Sequence, residues 1–165
     1  MRDKLTTLSF GLFNNNLTIG TIEHCTSGLL GASISSICGI SKVYGGTIVT
    51  VDGAHMEKLL DISPFVIQQN GFNSSKVASE LALVGLYKLN VDVCVSVIGD
   101  VTPSANDNDK GLVWICVATN NGKKVNFRYE KLEVSGFRSE NIETALNKAL
   151  DVTISAMEEL ISDLQ

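Results

Sequence analysis

The stretch VDVCVSVIG, residues 91–99, decides the fold class. Its apolar and β-branched side chains run almost without interruption, which is typical of a strand covered on both faces. The stretch LVWICVAT, residues 112–119, has the same character. By contrast, KVNFRYEKLEV, residues 124–134, alternates apolar and polar residues and predicts a strand with one face in water. The intervening NNGKK has hairpin-turn chemistry, so these last two strands should be antiparallel.

Outward from this stretch, strand and helix patterns alternate along the chain. Two more strands are predicted at residues 17–24 and 46–51, and helices at 27–38, 54–61, 63–70 and 74–90. A long C-terminal amphipathic helix is predicted with Ser139 as its N-cap and a packing stripe of Ile142, Leu146 and Ala149. The pattern predicts one α/β domain over residues 1–165, a three-layer α/β/α sandwich with a mixed, mostly parallel sheet of about five strands.

Composition excludes several functional classes. The chain has 165 residues, is 44% hydrophobic and carries a formal net charge of −5. An acidic chain offers no general basic face for phosphates, so nucleic acid is not expected as a partner. No window approaches the roughly 18 apolar residues of a membrane span, and the sequence predicts a cytoplasmic protein without a membrane partner. The four cysteines show no CxxC spacing, which favours buried thiols over disulfides or zinc ligands.

Two loops are the expected walls of a site. The long polar segment 100–111 directly follows the most apolar strand, and the turn at residues 24–28 follows the first strand. Ligands of open α/β sheets bind beyond the carboxyl ends of strands. We therefore expect a small-molecule site between this loop and this turn.

Seven short motifs, in order, resemble the C-terminal domain of the competence/damage-inducible protein CinA, which also occurs alone as nicotinamide-nucleotide amidase (PncC). The family pattern runs A-E-S-C-T-G-G-L, P-G-S-S, G-x-V-T-Y-S-N-E-A-K, H-G-A-V-S, G-I-A-G-P, G-T-V-W and G-[DN]-R. The likeness covers nearly the whole chain, and it lies in the order and spacing of IEHCTSGLL, GIS, TIVTVDGAHMEKLLDI, NGFNS, GDVTP, GLVW and GFR. The fold that this resemblance implies is the same α/β/α sandwich.

The resemblance also implies a chemistry. Active members of the family cleave the amide of nicotinamide mononucleotide without a metal, using a serine activated by a lysine with a tyrosine close by. In the ungapped register these three positions hold His24, Val51 and Met56, so none of the three catalytic side chains is present. The neighbouring Cys25 falls on a family cysteine and is expected to pack. The likeness therefore implies a degenerate, non-catalytic member that binds a nucleotide or a protein.

The residues expected to bind a ligand surround these positions. Thr26, Ser27 and Gly28 precede a helix, and free N–H groups at a helix N-terminus attract phosphate. Gly99 begins GDVTP, which stands where the family has a glycine-rich loop. Arg138 matches the family arginine and either pairs with a phosphate or ties its loop to the last helix. The predicted ligand is a mononucleotide such as nicotinamide mononucleotide.

Three alternatives stay open at this point. His24 is a candidate nucleophile or base of an amide hydrolase with altered machinery. A metal site of His24, His55 and Asp100 has suitable ligand types, but nothing in the spacing favours it, so no metal or cofactor is expected. The apolar pair Phe65 and Val66 favours a homo-oligomer, of which a symmetric dimer is the commonest form.

Overall fold

The structure, a computed structural model, describes residues 1–102 and 111–165. It contains six helices and five strands within these ranges. In chain order they are α1 Arg2–Asn15, β1 Ile19–Glu23, α2 Leu29–Ser35, β2 Tyr44–Val49, α3 Gly53–Leu60, α4 Pro64–Asn70, α5 Ser75–Lys88, β3 Val93–Gly99, β4 Leu112–Asn120, β5 Val125–Glu133 and α6 Arg138–Leu164. A short 3-10 turn at Ile40–Lys42 precedes β2.

The five strands form one mixed sheet in the order β2-β1-β3-β4-β5. Strand β1 pairs in parallel with β2 and β3, whereas β4 is antiparallel to both β3 and β5. Four of the strands therefore run in one direction, and the predicted fold class is confirmed.

Both faces of the sheet are covered, as the uninterrupted apolar run of β3 predicts. Val93, Val95 and Val97 pack on one side with residues of α1, α2 and α6. Cys94 and Ile98 pack on the other side with residues of α3 and α5. Every residue of β3 is buried. The central strand thus belongs to two cores at once, which defines the three layers.

Two helix predictions need correction. Helix α1 was not foreseen, because threonines and a glycine lower its helix propensity, yet Leu5, Leu8 and Leu12 are buried in the core shared with α6. The N-cap of α6 is Phe137, whose N–H donates to Glu140 Oε2 at 3.1 Å, and not Ser139, which lies inside the helix. The side chain of Glu140 thus accepts from the backbone N–H of the N-cap residue, which is one half of a capping box.

Strand β5 alternates apolar and polar residues as predicted. Two aromatic rings are exposed on one face, whereas the polar face packs against α6. Phe127 and Tyr129 stack with ring centroids 6.2 Å apart and are both exposed. The polar face lies against α6, where Arg128 pairs with Glu159 at 2.7 Å. Glu130 accepts from Lys148 at 2.8 Å on the same side. Arg128 and Glu130 are therefore paired with charged residues of the last helix, whereas Lys131 pairs with Glu133 on the strand itself.

The remaining predictions on surface and thiols have mixed outcomes. Three cysteines are buried as expected, but Cys38 is exposed, because it follows the end of α2. Phe65 is 61% exposed, and its role in a homo-oligomer stays a prediction. Within residues 1–102 and 111–165, none of the helices has the length and apolarity that a membrane crossing requires.

Candidate functional site

A cavity of about 390 Å³ opens where the carboxyl ends of β1, β2 and β3 meet. Its lining comes from the turn after β1, the end of β2, the segment before α5, the end of β3 and the first residue of α6. The lining residues are His24, Cys25, Ser27, Val49, Thr50, Val51, Phe72, Asn73, Gly99, Asp100 and Arg138. This is the position that the strand order predicts for a ligand site.

His24 bridges two backbone segments across the cavity. Its Nδ1 lies 3.0 Å from the carbonyl oxygen of Gly99, and its Nε2 lies 3.0 Å from that of Val51. The ring of Phe72 meets the imidazole edge-on, with the centroids 5.0 Å apart. A neutral imidazole donates to one of these carbonyls and an imidazolium donates to both. The side chain at the family's nucleophile position therefore holds β3 and the end of β2 together.

The carboxylate of Glu23 lies inside the protein, at the N-terminus of α2. This buried carboxylate accepts from the backbone N–H groups of Gly28, Leu30 and Gly31 at 3.0, 3.1 and 2.7 Å. The hydroxyl of Thr26 donates to the same carboxylate at 2.6 Å. The prediction that this turn offers free N–H groups to a phosphate is therefore wrong, because an internal anion already accepts from them.

Only one residue of the predicted phosphate turn lines the cavity. Ser27 is exposed there and has φ +52°, a left-handed conformation that costs about 1–2 kcal/mol for a residue with a Cβ. Thr26 is fully buried against Glu23, and Gly28, with φ +89°, is the N-cap residue that precedes the helix. The resemblance has glycine where Ser27 stands, and a positive φ is the physical reason for glycine at that position.

Cys25 is a packed thiol. Burial raises its pKa to about 12, and the nearby positive charge of Arg138 only partly opposes this effect. The thiolate is the nucleophilic form of cysteine, so a thiol with this pKa stays unreactive near neutrality. The structure thus places Cys25 in the core beneath the turn, as the sequence predicts.

Two of the three positions that stand for the family's catalytic side chains lie together, and the third lies apart from them. His24 and Val51 both line the cavity, and Val51 is 68% exposed at its rim. Met56 is fully buried in the core between α3 and α5 and does not line the cavity. An apolar side chain here contributes to packing and offers no base to the cavity.

Arg138 and Asp100 meet at one end of the cavity through Thr102. Arg138 Nη1 donates to Thr102 Oγ1 at 2.8 Å, and the Thr102 N–H donates to Asp100 Oδ1 at 2.7 Å. One guanidinium and one carboxylate therefore face the same space. Gly99 lies beside them with φ +153°, where a Cβ would be 2.2 Å from the carbonyl oxygen of Leu112. The Pro103 of the GDVTP match lies outside the described residues, as does most of the predicted loop wall.

Sequence reasoning missed a second wall, which Thr50, Phe72 and Asn73 form. Thr50 lies beside the turn, because its N–H donates to the carbonyl oxygen of Glu23 at 2.8 Å. The buried atoms Thr50 Oγ1 and Asn73 Oδ1 have no hydrogen-bond partner in the described part of the chain. One signal was available: NGFNS departs from the family's H-G-A-V-S at both Phe72 and Asn73. An aromatic ring and a carboxamide there indicate a changed pocket.

The structure does not assemble the metal site that was considered. His55 lies exposed at the start of α3, where its Nδ1 is 2.9 Å from Asp52 Oδ1. Asp52 caps that helix, and its pKa is lowered by the hydrogen bonds from His55. In residues 1–102 and 111–165, no three His, Cys, Asp or Glu side chains are grouped so that they could hold a metal ion.

Comparison with known families identifies the chain at this point. The model of the CinA C-terminal domain matches residues 3–157. The chain belongs to the CinA C-terminal-domain family. The Protein MG115 homolog of Mycoplasma pneumoniae is 31% identical over 150 residues, which cover 90% of this chain and 94% of that protein.

Other relatives are longer than this chain. The CinA-like protein of Prochlorococcus marinus is 36% identical over 108 residues, 64% of this chain and 25% of that protein. A putative competence-damage inducible protein of Acetivibrio thermocellus is 33% identical over 131 residues, 78% of this chain and 30% of that protein. The matched part thus spans less than a third of these two relatives.

Solved structures of the CinA superfamily share the fold. A protein of Klebsiella pneumoniae has a TM-score of 0.86 at 16% identity, covering 95% of this chain and 97% of its own. The competence/damage-inducible protein CihA of Agrobacterium tumefaciens has a TM-score of 0.85 at 23% identity, covering 94% of each chain. The fold of the described residues is therefore that of the CinA superfamily.

Proposed function

We propose that this chain is a non-catalytic CinA-family domain that binds a mononucleotide, such as nicotinamide mononucleotide, without hydrolysing its amide. The observation that supports this proposal is the position of the two ring nitrogens of His24. A general base needs a free lone pair within about 2.6–3.2 Å of the proton that it abstracts. Both ring nitrogens of His24 instead lie 3.0 Å from backbone carbonyl oxygens.

The other side chains of the cavity support the same proposal. Cys25 stays protonated near neutrality because burial raises its pKa to about 12. Ser27 is exposed in the cavity, but none of the lining residues in the described ranges is a lysine that could activate it. A serine hydroxyl is a weak nucleophile without an adjacent base. These features favour binding over amide hydrolysis.

The cavity has the size and the groups for a mononucleotide. Its volume of about 390 Å³ lies within the range of about 300–1,000 Å³ for small-molecule sites. Phe72 offers an aromatic surface for a base, and Arg138 offers a guanidinium for a phosphate. Ser27 and Gly99 complete the set of proposed ligand-binding residues. Asp100 disfavours a second anionic group beside the guanidinium.

The proposal is tested by calorimetry and ammonia release on the same preparation. We expect saturable binding of nicotinamide mononucleotide and no ammonia above the protein-free blank. Arg138→Gln should weaken binding of the mononucleotide on the order of 10-fold and leave nicotinamide riboside, which lacks the phosphate, unaffected. Lys42→Gln is the matched charge control, because Lys42 is exposed and lies outside the cavity lining.

The competing function is an amide hydrolase with altered machinery around His24. Ammonia release that His24→Ala or Ser27→Ala abolishes would favour that hydrolase and would contradict the proposal. Because the serine and lysine positions are both changed, loss of about six decades of rate is expected relative to an active hydrolase. Failure of every mononucleotide to bind would instead favour a protein-binding domain.

A further inference from the structure

Two buried polar atoms of the cavity wall lack a partner. Thr50 is 1% exposed, and its Oγ1 makes no hydrogen bond within residues 1–102 and 111–165. The same holds for the buried Oδ1 of Asn73. Both residues line the cavity. Buried polar atoms are paired in the large majority of cases, and an unpaired one lowers the stability of the empty protein.

The turn between β1 and α2 shows how complete the pairing of buried polar groups is elsewhere in the site. Glu23 accepts five hydrogen bonds from residues between Thr21 and Gly31. The two unpaired atoms come from separate elements, since Thr50 follows β2 and Asn73 precedes α5. One locally strained turn therefore does not account for both. What they share is the cavity.

We propose that Thr50 and Asn73 form a recognition pair for a hydrogen-bond donor group of the ligand, an amide N–H₂ or a sugar hydroxyl. The Oδ1 of a carboxamide only accepts, whereas a threonine hydroxyl both accepts and donates. An ionised carboxylate has no proton to give to Asn73 Oδ1, and Asp100 lines the same cavity. The pair therefore selects an amide or a hydroxyl over a carboxylate. This inference deepens the proposed function, because it concerns the same cavity.

The first part of the test is a pair of near-isosteric variants, Thr50→Val and Asn73→Leu. Each removes one unpaired polar atom and keeps the approximate shape of the side chain. We expect the melting temperature of the empty protein to stay the same or rise, while the affinity for nicotinamide mononucleotide falls on the order of 10-fold. Thr7→Val and Asn15→Leu on the exposed side of α1 are the matched controls and should leave the affinity unchanged.

The second part separates the two donor sources. The probes are nicotinamide mononucleotide, nicotinic acid mononucleotide, nicotinamide and ribose 5-phosphate, each titrated into wild type and variants. Weakening confined to the amide-bearing probes assigns the pair to the amide. Weakening that extends to nicotinic acid mononucleotide and ribose 5-phosphate assigns it to the sugar hydroxyls.

Three results would overturn the inference. The first is that the variants bind every probe as wild type does. The second is that the variants without ligand melt at a lower temperature than wild type. The third is that no probe binds the wild-type protein. The first result leaves the proposed nucleotide binding intact. Binding of nicotinamide or ribose 5-phosphate but of neither mononucleotide, lost in both variants, would support the recognition pair and contradict the proposed function.

Discussion

The two walls of the cavity differ in how their polar groups are paired. One wall is the turn between β1 and α2, where Glu23 accepts the helix N–H groups and a threonine hydroxyl. The other wall begins beside this turn at Thr50 and includes Asn73, and both residues keep buried oxygen atoms without partners in the described part of the chain. Motifs of the family likeness lie in both walls, since they include Glu23 and Thr50. The walls therefore differ in hydrogen-bond pairing and not in likeness to the family.

The largest effect is expected from removing the anion of the turn between β1 and α2. Glu23→Leu leaves the N–H groups of Gly28, Leu30 and Gly31 buried without an acceptor, which we expect to lower the free energy of unfolding by about 4 kcal/mol. Urea unfolding measures this change. Glu57→Leu, at an exposed position of α3, should cost less than about 0.5 kcal/mol. Equal losses in the two variants would show that the turn does not depend on Glu23.

Thiol labelling tests whether the turn between β1 and α2 opens and exposes Cys25. Burial raises the pKa of Cys25 and Cys116 to about 12 and that of Cys94 in the same direction, so all three stay protonated at pH 8. Only Cys38 is exposed. We expect one thiol per chain to react with a thiol reagent at pH 8, at least about 100-fold faster than the rest.

The control for this labelling is Cys38→Ser, which should remove the fast phase entirely. Raising the pH from 7 to 9 should speed the reaction of Cys38 and leave Cys25 protonated, because 9 is still well below its raised pKa. A fast phase that persists in Cys38→Ser would show that the turn opens and exposes Cys25.

The bridge between the walls gives a smaller effect. His24→Leu removes the imidazole that donates to at least one of the carbonyl oxygens of Gly99 and Val51, and we expect a loss of about 1–2 kcal/mol in the free energy of unfolding. His55→Leu is the matched control, because His55 is exposed and pairs only with Asp52 in the described ranges. If both variants unfold at the same urea concentration, His24 does not bridge the walls in solution.

The smallest effect is a gain in stability. Ser27 adopts φ +52°, so Ser27→Gly removes the left-handed strain of a residue with a Cβ and should raise the free energy of unfolding by about 0.5–1 kcal/mol. Ser33→Gly inside α2 should lower it by a similar amount, because glycine disfavours a right-handed helix. A loss of stability in Ser27→Gly would indicate that the serine hydroxyl itself stabilises the turn.

Much of the fold could be predicted because it depends on local patterns. The apolar run of β3 predicted that both faces of this strand are buried. The family pattern predicted the order of the strands and helices. Helix α1 was missed because its packing against α6 involves residues far apart in the chain, whereas its own helix propensity is weak. Ser139 was wrong as a cap because the bond between Glu140 and Phe137 depends on side-chain geometry and not on residue type alone.

The position of the site could be predicted from the sequence, but several of its contacts could not. Strand topology located the cavity, and the register placed His24 and Val51 in its lining. The role of Glu23 was missed, because its carboxylate reaches past the turn to a helix that starts six residues later. The unpaired oxygens of Thr50 and Asn73 come together only when two segments that are distant in the sequence line the same cavity. No local sequence pattern shows that a buried oxygen atom lacks a hydrogen-bond partner.

The carboxylate of Glu23 also determines what hydrogen exchange can detect. The amide hydrogens of Gly28, Leu30 and Gly31 are already bonded to it in the empty protein and should exchange slowly. A bound ligand can add little protection there. Ligand binding is therefore expected to leave hydrogen exchange in this turn unchanged and to slow exchange in the backbone around Asn73.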